Sequence, residues 1–316
     1  MHDIHTQQEI ESGKLFNLAL FLIISLSIFL LISLYVSRGI RIYHDKQTIA
    51  NKPSVFTNVS LEAKAAIVYD IQNKKVLFEK DAYTPLPLAS ITKVMTVVTA
   101  QELLPKGTVV TIHKEFLKEE GDSGFRVDEK WDLRDLIDFS LISSSNDGAA
   151  AIAAAAGAAI KNAPVIDQTT FIAEMNRKAK NIGMEHASFY NVTGLDMEEG
   201  NNGGYASARD IATLFEYTLR TYPEIFEATR LQDFSTHSLN AIYHKASNTN
   251  PDISITPNIL GSKTGFTDIA GGNLAIVFDA GINRPIVVVV LGSSAEGRFS
   301  DVQTLISKSL KEINQD

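Results

Sequence analysis

Leu15 to Val36 is a run of 22 residues without one charged side chain. At about 1.5 Å of rise per helical residue, such a run crosses a hydrocarbon core of about 30 Å. It therefore divides the chain into a lipid-compatible segment and a domain that folds beyond it. A buried core helix of this length and uniformity is uncommon in soluble domains. A cleaved export signal is the closer rival, but the run exceeds a usual signal core. Tyr35-Val36-Ser37-Arg38 also lacks small residues where a signal peptidase reads. The expected organisation is a polar tail over 1–14, an uncleaved transmembrane anchor over 15–36, a juxtamembrane linker over 37–60 and a folded domain over 61–316. Arg38, Arg41 and Lys46 follow the apolar run and only Lys14 precedes it. That bias by itself favours a cytoplasmic domain.

Composition narrows the function. The net charge of -8 and the lack of long basic runs argue against a nucleic-acid partner, which requires a clustered cationic face. With no cysteine, disulfides, thiol catalysis and cysteine-ligated zinc are excluded. The histidines form no His-Glu-x-x-His pair, which removes the usual zinc-hydrolase pattern. Gly261-Ser262-Lys263-Thr264 resembles the tail of a phosphate-binding loop, but Ser262 stands where that motif needs lysine. No metal, organic cofactor or nucleotide is expected.

From Leu61 the pattern becomes that of a packed domain. Ala65 to Asp70 and Lys75 to Glu79, joined around Asn73-Lys74, read as a β-hairpin, and Val109 to Ile112 as a short strand. Apolar spacing of three and four then predicts helices over Leu133–Ser143, Gly148–Ile160, Thr169–Ile182 and Ala208–Arg220. Asn191 to Ser207 reads as a Gly- and Asn-rich loop of functional length. Strand signals return at Asn273–Phe278 and Pro285–Leu291, and Asp301–Ile313 reads as a closing amphipathic helix. Strands at both ends with helices between them predict an α/β domain in which one sheet, completed by the two ends, carries a helical lobe.

The chemistry centres on Ser90-Ile91-Thr92-Lys93. A helix beginning near Ser90 places hydroxyl and amine one turn apart on one face. A serine needs a base to become a nucleophile, and a lysine held neutral by desolvation and a second cation supplies one. Ser144-Ser145-Asn146 and Lys263-Thr264-Gly265 follow in the order that marks acyl-serine enzymes with a lysine base. Gly121-Asp122-Ser123-Gly124 matches the surroundings of a trypsin-like nucleophile. That mechanism needs a histidine base held by a buried aspartate in a two-barrel β fold, whereas the chain around this loop reads as helices, so it reads as a Gly-rich turn.

With these elements in place, Leu61 to Leu310 resembles the serine-type D-alanyl-D-alanine carboxypeptidases, the low-molecular-weight penicillin-binding proteins. Asn191-Val192-Thr193-Gly194-Leu195-Asp196, Ser207-Ala208-Arg209-Asp210, Asn248-Thr249-Asn250, Lys263 through Asp268 and Arg298-Phe299-Ser300-Asp301 extend the likeness. Class A β-lactamases fit less well, because Phe189 follows Glu185 where they carry an asparagine. The resemblance implies a penicillin-binding-protein or β-lactamase-like fold, with an antiparallel sheet flanked by helices. It implies Ser90 as nucleophile and Lys93 as base. Ser144 would relay a proton to the leaving amine, Asn146 would orient Lys93 and substrate, and Lys263 would supply the positive field. Thr264, Gly265, Phe266 and Arg298 would bind substrate. Within that set, the backbone N–H groups of Ser90 and Phe266 form the oxyanion hole, and Thr264 and Arg298 hold a terminal carboxylate. The competing reading of Arg298 is a surface residue paired with Glu296 or Asp301.

The implied partner is the D-Ala-D-Ala end of a peptidoglycan stem peptide, with β-lactams as inhibitors. The implied location is the cell membrane, single-pass, with the domain outside the cytoplasm. A D,D-endopeptidase with the same residues, or a penicillin sensor without turnover, are the alternatives. The sequence departs from the family in Ser145, where Gly or Ala is frequent, and in ending one helix after Arg298, without the β-rich C-terminal domain of many relatives.

Overall fold

The computed structural model describes residues 20–38, 55–118, 120–121, 123–160, 168–281 and 283–315. The chain divides into two units, Met1–Thr57 and Asn58–Asp316. In the first, helix α1 (Leu20–Arg38) is long and apolar enough to cross a membrane. All its described side chains point outward, and Ser25 and Ser27 turn their hydroxyls back onto the carbonyls of Leu22 and Ile23. A helix with apolar side chains all round and its hydroxyls satisfied internally suits a medium that offers no hydrogen bonds. Residues 1–14, the first residues of the apolar run and the flanking Lys14, Arg41 and Lys46 lie outside the described residues.

The second unit is built on five antiparallel strands. β1 (Ala65–Asp70) and β2 (Lys75–Lys80) form the expected hairpin, and its turn is held by Asp70, which accepts from Asn73 N and Nδ2 and from Arg284 Nε. β3 (Ile259–Thr267), β4 (Gly271–Asp279) and β5 (Pro285–Ser293) complete the sheet in the order β3-β4-β5-β1-β2. Ile67 pairs with Val289, so the two ends of the domain close one sheet, as the sequence predicts. Both faces are buried. Ile67, Val277 and Val289 belong to the main core, whereas Ala66, Ile276 and Val290 face the other way and are equally inaccessible. This explains why β1 and β5 read as unbroken apolar runs and not as alternation. Helix α7 (Gly297–Ile313), with Val302, Leu305 and Ile306 buried, packs on β4 and β5.

Helices α2 (Thr92–Leu103), α3 (Leu133–Ser143), α4 (Asn146–Ala159) and α5 (Thr169–Asn181) form the lobe, and α6 (Ala208–Thr221) packs on β1 and β5. α4 is buried along most of its alanines and approaches α3 closely. A Cβ added at Gly148 would fall 2.0 Å from Ser140 Oγ.

Three local features are seen only in the structure. Ser90 lies in a 3-10 turn, Ala89–Ile91, that runs into the α-helix starting at Thr92. Lys263 is inside a nine-residue edge strand. A polar hairpin, Asp233–His237 with Tyr243–Ser247, follows α6 where the sequence offered no apolar signal.

Candidate active site

The backbone around Ser90 is strained and tightly covered. Ala89 has φ of +48°, a conformation that a residue bearing a Cβ adopts at a cost of about 1–3 kcal/mol. The surrounding glycines make room for it. A Cβ on Gly194 would sit 1.9 Å from Ala89 O, and one on Gly265 would sit 2.7 Å from Leu88 O and 3.1 Å from Ser90 N. The loop Asn191–Gly194 and strand β3 thus press on the turn from two directions. Asn273, buried, donates to Pro87 O at 2.9 Å and accepts from Gly292 N at 2.7 Å, tying the approach to Ser90 to the sheet.

Lys93, one residue into α2, is fully buried. Its Nζ lies 2.7 Å from Ser90 Oγ and donates to Thr193 O at 2.9 Å. One turn along, Thr96 donates to Val192 O at 2.7 Å, so α2 grips the loop at consecutive carbonyls. Asn191 Oδ1 accepts from Gly194 N and Thr193 N and gives the loop its turn.

Lys263, on β3 and 2% exposed, donates to Ser144 Oγ at 2.8 Å and to Thr264 O at 2.9 Å. Ser144 is the C-cap of α3 in the left-handed region, with φ of +61°, and this aims its side chain into the cleft between lobe and sheet. Burial, with the charges of Lys93 and Arg298 added, holds the Lys263 ammonium well below the usual lysine range. The result is two serine–lysine couples in mutual electrostatic contact, an arrangement able to take a proton at one hydroxyl and return it at another.

Around this centre, Thr264 Oγ1 lies 2.6 Å from Thr249 Oγ1. Phe266 is 50% exposed beyond it on the strand edge. Arg298 Nη1 donates to Gly265 O at 2.7 Å, its guanidinium lies 4.7 Å from the Phe299 ring centre, and its Nε is buried without a hydrogen-bond partner. Burial lowers its pKa, yet a guanidinium stays charged. It is not a surface partner of Asp301, whose carboxylate accepts from Glu62 N, Ala63 N and Ser293 Oγ.

Asn146 stands apart from the others. Its Nδ2 donates to Glu120 O at 2.5 Å and its Oδ1 is buried without a partner, so it makes no hydrogen bond to Lys93 through that oxygen. The Gly-rich turn forms with Gly121 at φ +90° and Gly124 at +73°. Ser123 Oγ lies 2.6 Å from Ser145 Oγ, which fastens the turn to the second motif, and Asp122 lies outside the described residues. Sequence reasoning does not single out Thr193 or Thr249 individually. One contributes a main-chain carbonyl, which carries no side-chain signature, and the other sits in Asn248-Thr249-Asn250, a triplet already within the resemblance.

Residues 47–295 match the family model described as D-alanyl-D-alanine carboxypeptidase. The chain is 30% identical over 252 residues to D-alanyl-D-alanine carboxypeptidase DacF of Bacillus subtilis, covering 78% of this chain and 61% of that protein. It is 32% identical over 252 residues to a D-alanyl-D-alanine endopeptidase of Pseudomonas aeruginosa, covering 76% and 74%. Among solved structures, penicillin-binding protein D2 of Listeria monocytogenes in its ampicillin-bound form superposes with a TM-score of 0.67 at 26% identity, covering 79% of this chain and 98% of that one. A point mutant of the Streptomyces K15 DD-transpeptidase shares the fold with a TM-score of 0.72 at 20% identity, covering 80% and 100%. The match thus spans about three fifths of the Bacillus carboxypeptidase and most of the endopeptidase. Two serine–lysine couples on this sheet-and-lobe frame, with a family match over residues 47–295, place the chain in the D-alanyl-D-alanine carboxypeptidase family of serine peptidases.

Proposed function

We propose that this chain removes the terminal D-alanine from peptidoglycan stem peptides through an acyl-enzyme on Ser90. The observation that carries the reading is the pairing of Lys93 with Ser90 and of Lys263 with Ser144 in one buried electrostatic unit. In its neutral form Lys93 takes the Ser90 proton as Oγ attacks the penultimate carbonyl. The backbone N–H groups of Ser90 and Phe266 receive the oxyanion, and Gly265, where a Cβ would fall 3.1 Å from Ser90 N, lets the strand come close to the turn. Ser144, polarised by Lys263, passes a proton to the departing amine. Water then releases the acyl group along the reverse path. Asn146, with an unpartnered Oδ1, is poised to accept from the substrate amide. Thr264 and Arg298 hold the terminal carboxylate, the guanidinium being set beside Thr264 by its bond from Nη1 to Gly265 O.

The test compares a D-Ala-D-Ala pentapeptide with its C-terminally amidated analogue. Wild type should release D-alanine from the free acid, and Arg298→Ala should lose that activity far more than it loses turnover of the amide. Equal losses on both would make Arg298 structural. Because the Pseudomonas relative is an endopeptidase covered over 74% of its length, cross-linked dimer muropeptides belong in the same assay. Cleavage of dimers without release of D-alanine from monomers would identify an endopeptidase instead.

We further propose that residues 15–36 anchor the chain in the cell membrane, that 37–60 act as a linker, and that the domain from Leu61 onward lies outside the cytoplasm. The cationic residues after the anchor favour the opposite orientation, but that rule is a bias, and large domains translocate largely regardless of flanking charge. The assembled wall that such an enzyme trims lies outside. Protease added to intact spheroplasts should therefore degrade the domain while a cytoplasmic marker survives. A domain protected until the membrane is opened would reverse the orientation.

A further inference from the structure

The strand that leads into Ser90 also walls a cavity for which the chemistry above has no use. Leu86–Pro87, Gly204–Ala206 and Ser188–Phe189 form a small antiparallel sheet in that order. Pro87 stands opposite Tyr205, and Leu88 N donates to Gly204 O at 2.9 Å, two residues before the nucleophile. On this sheet lies a cavity of about 580 Å³ whose lining includes Pro85, His186, Ser188, Tyr190, Asn201 and Tyr205. That is the size of a small-molecule site.

Two features of the lining restrict what it can hold. First, it presents aromatic faces to solvent. Tyr190 is 54% exposed and stands edge-on to Tyr205, with ring centres 6.3 Å apart, and Tyr83 at 52% exposure stands edge-on to His186 next to it. Tyr205 is held by its hydroxyl, which accepts from Asn202 N. The side chain of Asn202 in turn donates to Asp196 and to Thr267 at the end of β3. The platform is therefore fixed to the same strand that carries Lys263. Second, among the described residues no Asp, Glu, Lys or Arg lines the cavity, in a chain where these residues make up 21% of the sequence. Apart from the His186 imidazole, a charged ligand would find no counter-charge in that lining. A neutral ligand with flat C–H faces and a polar rim matches both features: its faces lie on the tyrosine rings and its rim reaches Ser188, Asn201 and the tyrosine hydroxyls.

We propose that this cavity binds a neutral N-acetylated amino-sugar chain, the glycan to which the stem peptide is attached. The identification of that glycan rests on the activity proposed above. The sheet that carries Tyr205 also holds Leu86–Pro87, the strand that leads into the turn bearing Ser90, so in this proposal one polymer lays its sugar on the tyrosines and directs its peptide toward Ser90.

Two measurements on the full chain in detergent test this. In the first, an N-acetylglucosamine tetrasaccharide is titrated calorimetrically. Wild type and Tyr190→Phe should bind it, and Tyr190→Ala should bind about five- to tenfold more weakly, the loss expected of one aromatic contact. No binding by wild type, or equal binding by Tyr190→Ala, overturns the proposal even if no peptidase activity is found. In the second, kcat/KM is compared on a free pentapeptide and on the same peptide carried by its disaccharide chain. Wild type should favour the glycan-linked form and Tyr190→Ala should lose that preference, with its penicillin acylation rate unchanged as proof of an intact fold. A wild type without preference, or a variant equally impaired on both substrates, contradicts it. Failure of the carboxypeptidase reading would instead show as inactivity of wild type on both peptides.

Discussion

Replacing Lys263 with alanine should slow the acylation of Ser90 by about 10²–10³-fold, a barrier increase of about 2.7–4 kcal/mol, while the initial binding of substrate or penicillin changes little. Lys263 is buried, donates to Ser144 Oγ, and feels the charges of Lys93 and Arg298. Such a group acts on charge that develops during the reaction, and in a desolvated cleft it acts strongly. The variant loses two contributions together: the donor that polarises Ser144, and the cation that keeps the lysine pair from holding both protons. The second has a pH signature. Burial and the charges of Lys93 and Arg298 lower the Lys263 pKa well below the usual lysine range, and acylation by wild type should fall as acid adds a proton to this site. In Lys263→Ala, Lys93 no longer faces that neighbour, so the falling limb should move to higher pH. Stopped-flow acylation by a chromogenic cephalosporin across pH measures both effects. An unchanged rate and profile would remove Lys263 from the mechanism.

Much of this site is legible in the sequence because its reactive atoms belong to side chains whose spacing survives folding. Ser90 and Lys93 are close along the chain, and the motifs around Ser144 and Lys263 lie on opposite walls of the cleft that the sheet and lobe create. The hairpin at the start of the domain and the β5 signal foretell a sheet closed by both ends, since each is an apolar run bounded by turn residues. What stays hidden has physical reasons. The αL conformation of Ala89 is imposed by tertiary contacts from Gly194 and Gly265, and alanine gives no hint of it. Thr193 serves through its carbonyl, which every residue possesses. Strand β3 carries glycines at 261 and 265, which resemble a turn but are needed because Phe226 and the Ser90 turn lie against them. The hairpin Asp233–His237 with Tyr243–Ser247 alternates in burial, with Ala246 and His244 inward, yet its composition is too polar to announce a strand. Asn146 shows the opposite case: its position is legible, but its contact with Glu120 O is not.

The second large effect belongs to the nucleophile itself. Ser90→Ala deletes the only atom that the mechanism allows to form a covalent bond, so acylation should be abolished and not merely slowed, with the fold intact because the turn's strain resides in Ala89 and not in Ser90. Other hydroxyls stand nearby. Ser144 is bound to Lys263, and Ser123 and Ser145 are bound to each other, so each is a rival that the chemistry must discriminate. The decisive measurement is peptide mapping by mass spectrometry of the full chain after reaction with fluorescent penicillin. A single adduct on Ser90, absent from Ser90→Ala and retained in Ser123→Ala, is the result predicted. An adduct on Ser123, Ser144 or Ser145, or labelling that persists in Ser90→Ala, would contradict the assignment of Ser90 as the acylated residue.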